Sequence, residues 1–588
     1  MTDRPSPSPA AALMPGIPPT SEAADFDRAY RARLAHLTQG ISPAALCSAY
    51  MDWLVHLSMS PGKQSQLFFK AQYEAMELIL HHSSSPEVLG TQTEGRDHRF
   101  DAPEWGIWPF NFLRQAFHAK EQWWHSATTG VEGVSAHHEQ MMSFFTRQWL
   151  DMMSPANCLA SNPEAMAETF KSGGLNLVRG LHSRFKDAMY SVNAKSRKEA
   201  LDFRPGHEVA LTSGKVVFRN PLIELIQYSP QTDSVYKEPV LIIPSWIMKF
   251  YILDLSPQNS LVRYLVEQGH TVFMVSWKNP EASDRDLGMD DYLKEGVMAA
   301  IDAVDVVVPK HKIHSLGYCL GGTLLAIAAA YMARSGDDRL ESITLFASLI
   351  DFSEPGELGL FIDESQLAYL DDLMSEKGYL DGKQMAGAFA LLNSRDLVWS
   401  RMEHEYLMGR SHPVNDLVAW NADATRMPYR QHHEYLRSLY LHNDLAEGRY
   451  LADGVPVALS DIQVPVFVLG TQKDTVSPWR SVYKIHLLMN TELTFCLSSG
   501  GHNVGIVNPP GPGVKRGYQI GTHAQGDHYK DPGTWSAMTL SHEGSWWPAW
   551  QAWLASHSSR RGPPPAMGGR DHGSEKMVDA PGRYVLSA

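Results

Sequence analysis

From Ser315 to Ala333 the chain carries no charged side chain for 19 positions, and three glycines, Gly317, Gly321 and Gly322, gather at its head. Such a length could cross a bilayer as a helix. The glycine cluster at one end argues for another use. The apolar run 313–316 precedes it and an apolar helical segment, 323–332, follows. Gly317-Tyr318-Cys319-Leu320-Gly321 therefore lies between a strand and a helix. That is the context of a G-x-S-x-G nucleophile elbow, with Cys in place of Ser. The nucleophile of an elbow sits on a sharp, strained turn, so its neighbours must be small. The helix N-terminus beneath it favours negative charge and lowers a thiol's pKa. A helix enclosed between a sheet and a cap is apolar all round, which explains the uncharged stretch without a membrane.

The surrounding rhythm supports this. From about residue 208, apolar runs at 215–218, 222–228, 240–243, 270–277, 313–318, 343–349, 464–469 and 493–497 alternate with helical segments. Continuous runs of this length indicate a mostly parallel sheet covered on both faces. The predicted class is an α/β-hydrolase fold over 206–557. Residues of about 352–460 lack the strand rhythm and read as a helical cap inserted over one end of the sheet, where lids sit. Residues 25–205 show helix signals alone and form an expected all-helical N-terminal domain. Within it, Ser42 and Pro43 open one helix as cap and first residue. The Pro/Ser/Ala-rich 1–24 reads as a disordered tail and the Gly/Pro-rich 558–588 as a mobile one.

Composition removes several function classes. The formal net charge of −14 argues against a general nucleic-acid binder, which needs a basic footprint. The four cysteines, Cys47, Cys158, Cys319 and Cys496, are too few and too scattered for a disulfide framework, and predict a reducing, cytoplasmic compartment. The proline-rich N-terminus lacks the apolar core of a secretory signal. The pairs His81-His82, His137-His138 and His432-His433 lack metal-ligand spacing, so no metal is expected. Gly511 to Gly517 is a turn-rich loop rather than a dinucleotide fingerprint.

An elbow nucleophile is followed in chain order by an acid and a base. The run 464–469 leads into Gly470-Thr-Gln-Lys-Asp474, and the run 493–497 into Ser-Ser-Gly-Gly-His502. Both residues fall just beyond strand C-termini, where open α/β sheets place their sites. Asp351, after the run 343–349, is a competing acid, with capping of a helix at 354–361 as its bland role. The backbone N–H of Leu320 is the first expected oxyanion donor. The second belongs to the loop after an early strand, where Ile247 is favoured. A thiol nucleophile suits exchange with a thioester donor. The acyl group then stays activated and can pass to a hydroxyl. A Cys-triad hydrolase would use the same residues, and a non-catalytic coat protein is a further alternative.

Longer segments carry a resemblance. SPGKQSQL, TFKSGGLNLVRGL, GKVVFRNPLIELIQY, KFYILDLSPQNSLVRYLVEQGHTVFMVSWKNP, GYCLGG, WNADATRMP and EGSWWPAW occur in order. With them the chain resembles the class I polyhydroxyalkanoate synthases, from Phe26 onward. The resemblance implies that an (R)-3-hydroxyacyl-CoA, short-chain such as 3-hydroxybutyryl-CoA, acylates Cys319 and releases CoA. The 3-hydroxyl of the next unit then extends a polyester. His502 matches the family base, and Asp474 matches the acid that orients it or helps activate the hydroxyl. Coenzyme A enters as part of the substrate, with no further cofactor. A homodimer on cytoplasmic polyester granules is implied, with the helical N-terminal region at the granule. Two segments depart from the family pattern. Pro244-Ser245-Trp246-Ile247-Met248-Lys249 stands for the usual Pro-Pro-Trp-Ile-Asn-Lys, and Gly500-Gly501-His502-Asn503-Val504-Gly505 for Ser-Gly-His-Ile-Ala-Gly.

Overall fold

The computed structural model describes residues 20–38, 40–80, 98–192, 203–382, 398–410, 415–512, 516–569 and 577–587, with positions 384, 387, 391 and 394. Seven α-helices open the described chain: α1 (Thr20–Leu37), α2 (Pro43–Ser58), α3 (Pro61–Leu80), α4 (Phe110–Thr128), α5 (Ala136–Met152), α6 (Pro163–Ser172) and α7 (Leu175–Val192). Ser42 caps α2 by accepting the Ala45 N–H at 3.3 Å, with Pro43 in the first turn. Most of the expected tail 1–24 lies outside the described residues, and α1 already includes 20–24.

The strands follow as β1 (Gly214–Arg219), β2 (Ile223–Tyr228), β3 (Val240–Ile243), β4 (Val272–Trp277), β5 (Ile313–Tyr318), β6 (Leu340–Phe346), β7 (Tyr379–Leu380), β8 (Met427–Pro428), β9 (Leu451–Ala452), β10 (Val455–Pro456), β11 (Val466–Thr471), β12 (Leu493–Ser498), β13 (Gly517–His523) and β14 (Ser541–Glu543). Ten form one sheet in the order β1-β2-β4-β3-β5-β6-β11-β12-β13-β14. Pairing is parallel from β4 through β12 and antiparallel at both edges. This is the α/β-hydrolase architecture. The β3, β5, β11 and β12 side chains are buried on both faces, so their sequences run apolar without alternation.

Helix Leu320–Ser335 covers one face, buried from Leu320 to Ala330, which accounts for the uncharged stretch. No described helix is long and apolar enough to cross a membrane. The other face is covered by Trp547–Ser556, where Trp546 and Trp550 meet Phe346 edge-on at 4.9 and 5.1 Å. The cap carries helix Glu364–Lys377, the π-helical segment Met402–Leu407 and helix Tyr429–Tyr435. The N-terminal helices dock on this cap. Arg31 of α1 pairs with Asp372, and α7 lies so close to Met402–Leu407 that a Cβ on Gly180 would strike the Tyr406 backbone.

Three expectations are corrected. β6 ends at Phe346 rather than 349, because Ala347 takes φ +46° and the chain turns beneath the Leu320–Ser335 helix. β13 and the edge strand β14 carry no apolar run: β13 is mostly half-buried and β14 exposed, so neither has the sequence signal of a buried strand. The segment expected to be mobile from 558 is tied to the body of the fold at several described points. Val235 and Gly562 exchange backbone bonds of 2.8 Å, Val216 N–H donates to Val578 at 2.9 Å, and Val585 is fully buried. Its Gly/Pro content suits a strap that follows the body without its own secondary structure.

Candidate active site

At the end of β5 the chain reverses through Cys319, whose φ of +52° and ψ of −122° form a region that only an over-determined structure imposes on a non-glycine residue. Its N–H is held by the Phe346 carbonyl at 2.9 Å. The surrounding glycines are a packing requirement. A Cβ on Gly317 would lie 2.6 Å from the Gly321 carbonyl oxygen. One on Gly321 would lie 2.6 Å from the Pro244 oxygen, with Ile243 O closer still. One on Gly322 would lie 2.7 Å from the Ser348 Cβ. The thiol is half-buried where the two sheet-face cores meet.

His502 follows β12 in a turn. Its Nδ1 and Asp474 Oδ2 are 2.8 Å apart, and the ring also interacts with the Cys319 side chain. Burial opposes protonation of this ring. The Asp474 carboxylate and Cys319 sulfur outweigh that, and the imidazole pKa is held well above its usual value. Asp474 is fixed by further donors: Val476 N–H at 2.9 Å, Ser477 N–H at 2.8 Å and Thr471 Oγ1 at 2.9 Å. The structure thus brings Cys319, His502 and Asp474 together. Asp351 stands apart from this constellation. Its carboxylate closes the turn at Ser353, N–H to Oδ1 2.8 Å, and meets Asn443 at 3.4 Å. It caps no helix, since the 3₁₀ helix Gly356–Phe361 starts at Pro355 without a side-chain cap.

Leu320 opens its helix, so its N–H has no intrahelical acceptor. Ile247 lies in the loop after β3, which Gly321 touches through Ile243 and Pro244. The two intended oxyanion donors are therefore on neighbouring backbone segments. The other thiols differ in setting: Cys47 and Cys158 are exposed, and burial pushes the Cys496 thiol up.

Sequence reasoning overlooked the residues that hold the base. Trp546 Nε1–H donates to Gly505 O at 2.9 Å and Trp547 Nε1–H to Ile506 O at 3.0 Å, tying the loop behind His502 to the buried tryptophan helix. The run Trp546-Trp547 was the available signal, though its acceptors are backbone atoms. Tyr318, beside the nucleophile, donates to Asn503 Oδ1 at 2.6 Å, and Asn503 reaches Asn421 of the cap at 3.3 Å. Two cap tyrosines lie beside Cys319, Tyr435 buried and Tyr440 half-buried, and desolvation raises both phenols.

Comparison with known proteins follows the same division. Residues 96–265 match the family model described as the poly-beta-hydroxybutyrate polymerase N-terminus, 21–63 a second N-terminal model of that polymerase, and 238–509 the alpha/beta hydrolase fold. A poly(3-hydroxyalkanoate) polymerase of Methylorubrum extorquens is 40% identical over 83% of this chain and 80% of its own length. The corresponding Rhizobium meliloti subunit is 37% identical over 83% and 79%, and that of Cupriavidus necator 37% over 83% of each.

Proposed function

The chain belongs to the poly(3-hydroxyalkanoate) polymerases, a family of acyltransferases, and on that premise we propose that it polymerises (R)-3-hydroxyacyl-CoA through a thioester on Cys319. The observation that carries this reading is the Cys319–His502–Asp474 chain of contacts on an elbow. His502 takes the thiol proton, and Sγ attacks the substrate carbonyl. The Leu320 and Ile247 N–H groups meet the oxyanion. Collapse breaks the bond to sulfur, and CoA leaves with the proton from His502. The 3-hydroxyl of the next unit then attacks the Cys319 acyl carbonyl, giving an oxygen ester and freeing the thiol. Asp474 orients His502 through Nδ1, leaving Nε2 for these transfers.

Short acyl groups are favoured by the aromatic wall on the cap side: Trp246 lies 5.8 Å from Tyr435, and Tyr435 lies 5.4 Å from Tyr440. The product is an apolar polyester in a cytoplasmic granule. Exposed apolar side chains on α7, among them Val178, Leu181, Phe185 and Met189, suit contact with such a surface. The working species is a homodimer, measurable by sedimentation.

The test is to supply 3-hydroxybutyryl-CoA to purified protein and follow CoA release and insoluble polyester together. Both are expected, and Cys319→Ala should abolish both. Free 3-hydroxybutyrate as sole product would replace this reading with a hydrolase. Turnover retained in Cys319→Ala would remove the nucleophile.

A further inference from the structure

The loop 244–249 that carries Ile247 is gripped from three sides. Gly321 of the elbow packs against Ile243 and Pro244. The cap supplies Thr425, whose N–H donates to Ile247 O at 3.1 Å and whose Oγ1 donates to Trp246 O at 2.7 Å, and Trp420, whose Nε1–H donates to Lys249 O at 2.7 Å. The third grip comes from the far end of the sequence. Lys249 is 3% exposed, and its ammonium donates to the carbonyls of Tyr584 at 3.2 Å and Ser587 at 2.8 Å. A buried ammonium is costly unless acceptors surround it. Here the last described turn of the chain supplies two.

That turn is seated with equal care. Glu224 on β2 is fully buried, and its Oε2 accepts the N–H groups of Arg583 at 2.8 Å and Tyr584 at 2.9 Å. Arg219 Nε holds the other oxygen at 2.7 Å, and Tyr584 OH donates to Asn220 O at 2.7 Å. Upstream, the strap bonds β1 through Val216 to Val578 and Ala580 to Gly214, each 2.9 Å. Gly582, at φ +83°, would place a Cβ 3.2 Å from the Glu224 Cδ and nearer still to Oε2. A carboxylate thus holds the N-terminal side of the turn and an ammonium the C-terminal side.

We propose that Lys249 is a positioning residue through which the strap 577–587 sets the placement of the Ile247 N–H donor, making that strap part of the active-site support. The inference rests on the polymerase reading and on Ile247 as a donor. Moving an oxyanion donor affects the transition state more than substrate binding, and it leaves thiolate formation at Cys319 untouched.

The experiment compares full-length Lys249→Met, which removes the tether at the loop, with Gly582→Ala, which unseats the turn remotely, and with the double variant. Each single change is expected to lower kcat for CoA release about 10- to 100-fold, with KM within about threefold. Alkylation of Cys319 by iodoacetamide should proceed at the parent rate, which also reports an intact fold. The double variant should be no worse than the poorer single one, since both cut one linkage. A kcat within twofold of the parent in either variant, alkylation falling in step with kcat, or multiplying effects would each overturn the proposal. Amide exchange supplies a readout independent of turnover: Gly582→Ala should loosen 244–249 together with 577–587, and unchanged exchange at 244–249 would refute the tether. A parent protein that releases no CoA would instead sink the polymerase reading, with the exchange result still deciding the tether.

Discussion

Replacing Gly321 by Ala tests the elbow at the point where local and tertiary preferences oppose each other most directly. Gly321 lies in the first turn of Leu320–Ser335, where alanine is better by about 1 kcal/mol on intrinsic propensity. The added Cβ would stand 2.6 Å from Pro244 O, 2.7 Å from its carbonyl carbon and closer to Ile243 O, against 3.4 Å for ordinary contact. The obstacle is backbone, so no rotamer relieves it. Clearing Ile243 O, the nearest atom, makes the helix start or the β3 loop retreat by more than about 1 Å. Overpacking of this kind costs about 1–3 kcal/mol, which offsets or exceeds the propensity gain. The larger consequence is catalytic, because the retreat separates the segments bearing the Leu320 and Ile247 N–H groups. A misplacement of about 1 Å costs on the order of 100-fold in rate. The assay is kcat for CoA release from 3-hydroxybutyryl-CoA, with a urea titration for stability. A kcat within threefold of the parent would falsify the argument that these two loops are held at contact distance. Gly322→Ala provides the contrast. Its nearest obstacle is the Ser348 side chain, with the Gly317 carbonyl oxygen at 3.0 Å behind it, so adding Ser348→Gly should restore much of its loss, whereas no second side-chain change should rescue Gly321→Ala.

Asp474→Asn removes the charge that holds His502 protonated against burial. The protonated fraction of His502 at neutral pH should drop, slowing Cys319 alkylation at least tenfold, while Asp351→Asn should change that rate less than twofold; the reverse order would exchange their roles. Trp546→Phe keeps an aromatic ring but deletes the bond to Gly505 O and vacates part of the indole's buried space. A loss of about 1–2 kcal/mol is expected, with kcat reduced severalfold by a looser His502 loop, and an unchanged kcat would show that the indole anchors nothing of consequence. Burial pushes His314 down to about 4 and His270 to about 3. The unfolded chain takes up these protons near pH 6.5, so the stability is present above that pH and is lost as pH falls toward 4. For His314 alone this is about 3 kcal/mol at pH 4. His314→Gln should flatten the fall in urea midpoint between pH 7 and 4.5, and an unaltered slope would exclude this ring as its source.

Much of the fold was legible because its physical causes are local. The strands β3, β5 and β11 are covered on both sides, so burial wrote itself into them as unbroken apolar runs. The elbow was legible because close approaches at Gly317, Gly321 and Gly322 around Cys319 admit glycine and little else. The order of Cys319, Asp474 and His502 was readable because each follows a strand end. The last two strands, β13 and the edge strand β14, left no comparable trace, since their incomplete burial tolerates Gly, Gln and His.

The sequence by itself determined the class of sheet, the place of the turn that lifts Cys319, and the residues that could serve as acid and base. Tertiary structure shows which of the two carboxylates approaches the His502 ring: Asp474 does, while Asp351 closes the turn at Ser353. It also decided that the N-terminal helices rest on the cap, that Trp546 and Trp547 hold the loop behind the base, and that the chain's last described turn closes on Lys249. The physical reason is common to these cases. Steric demands on φ and burial select residue types at their own positions. A long-range hydrogen bond to a carbonyl selects nothing at the accepting residue, because every residue carries that oxygen.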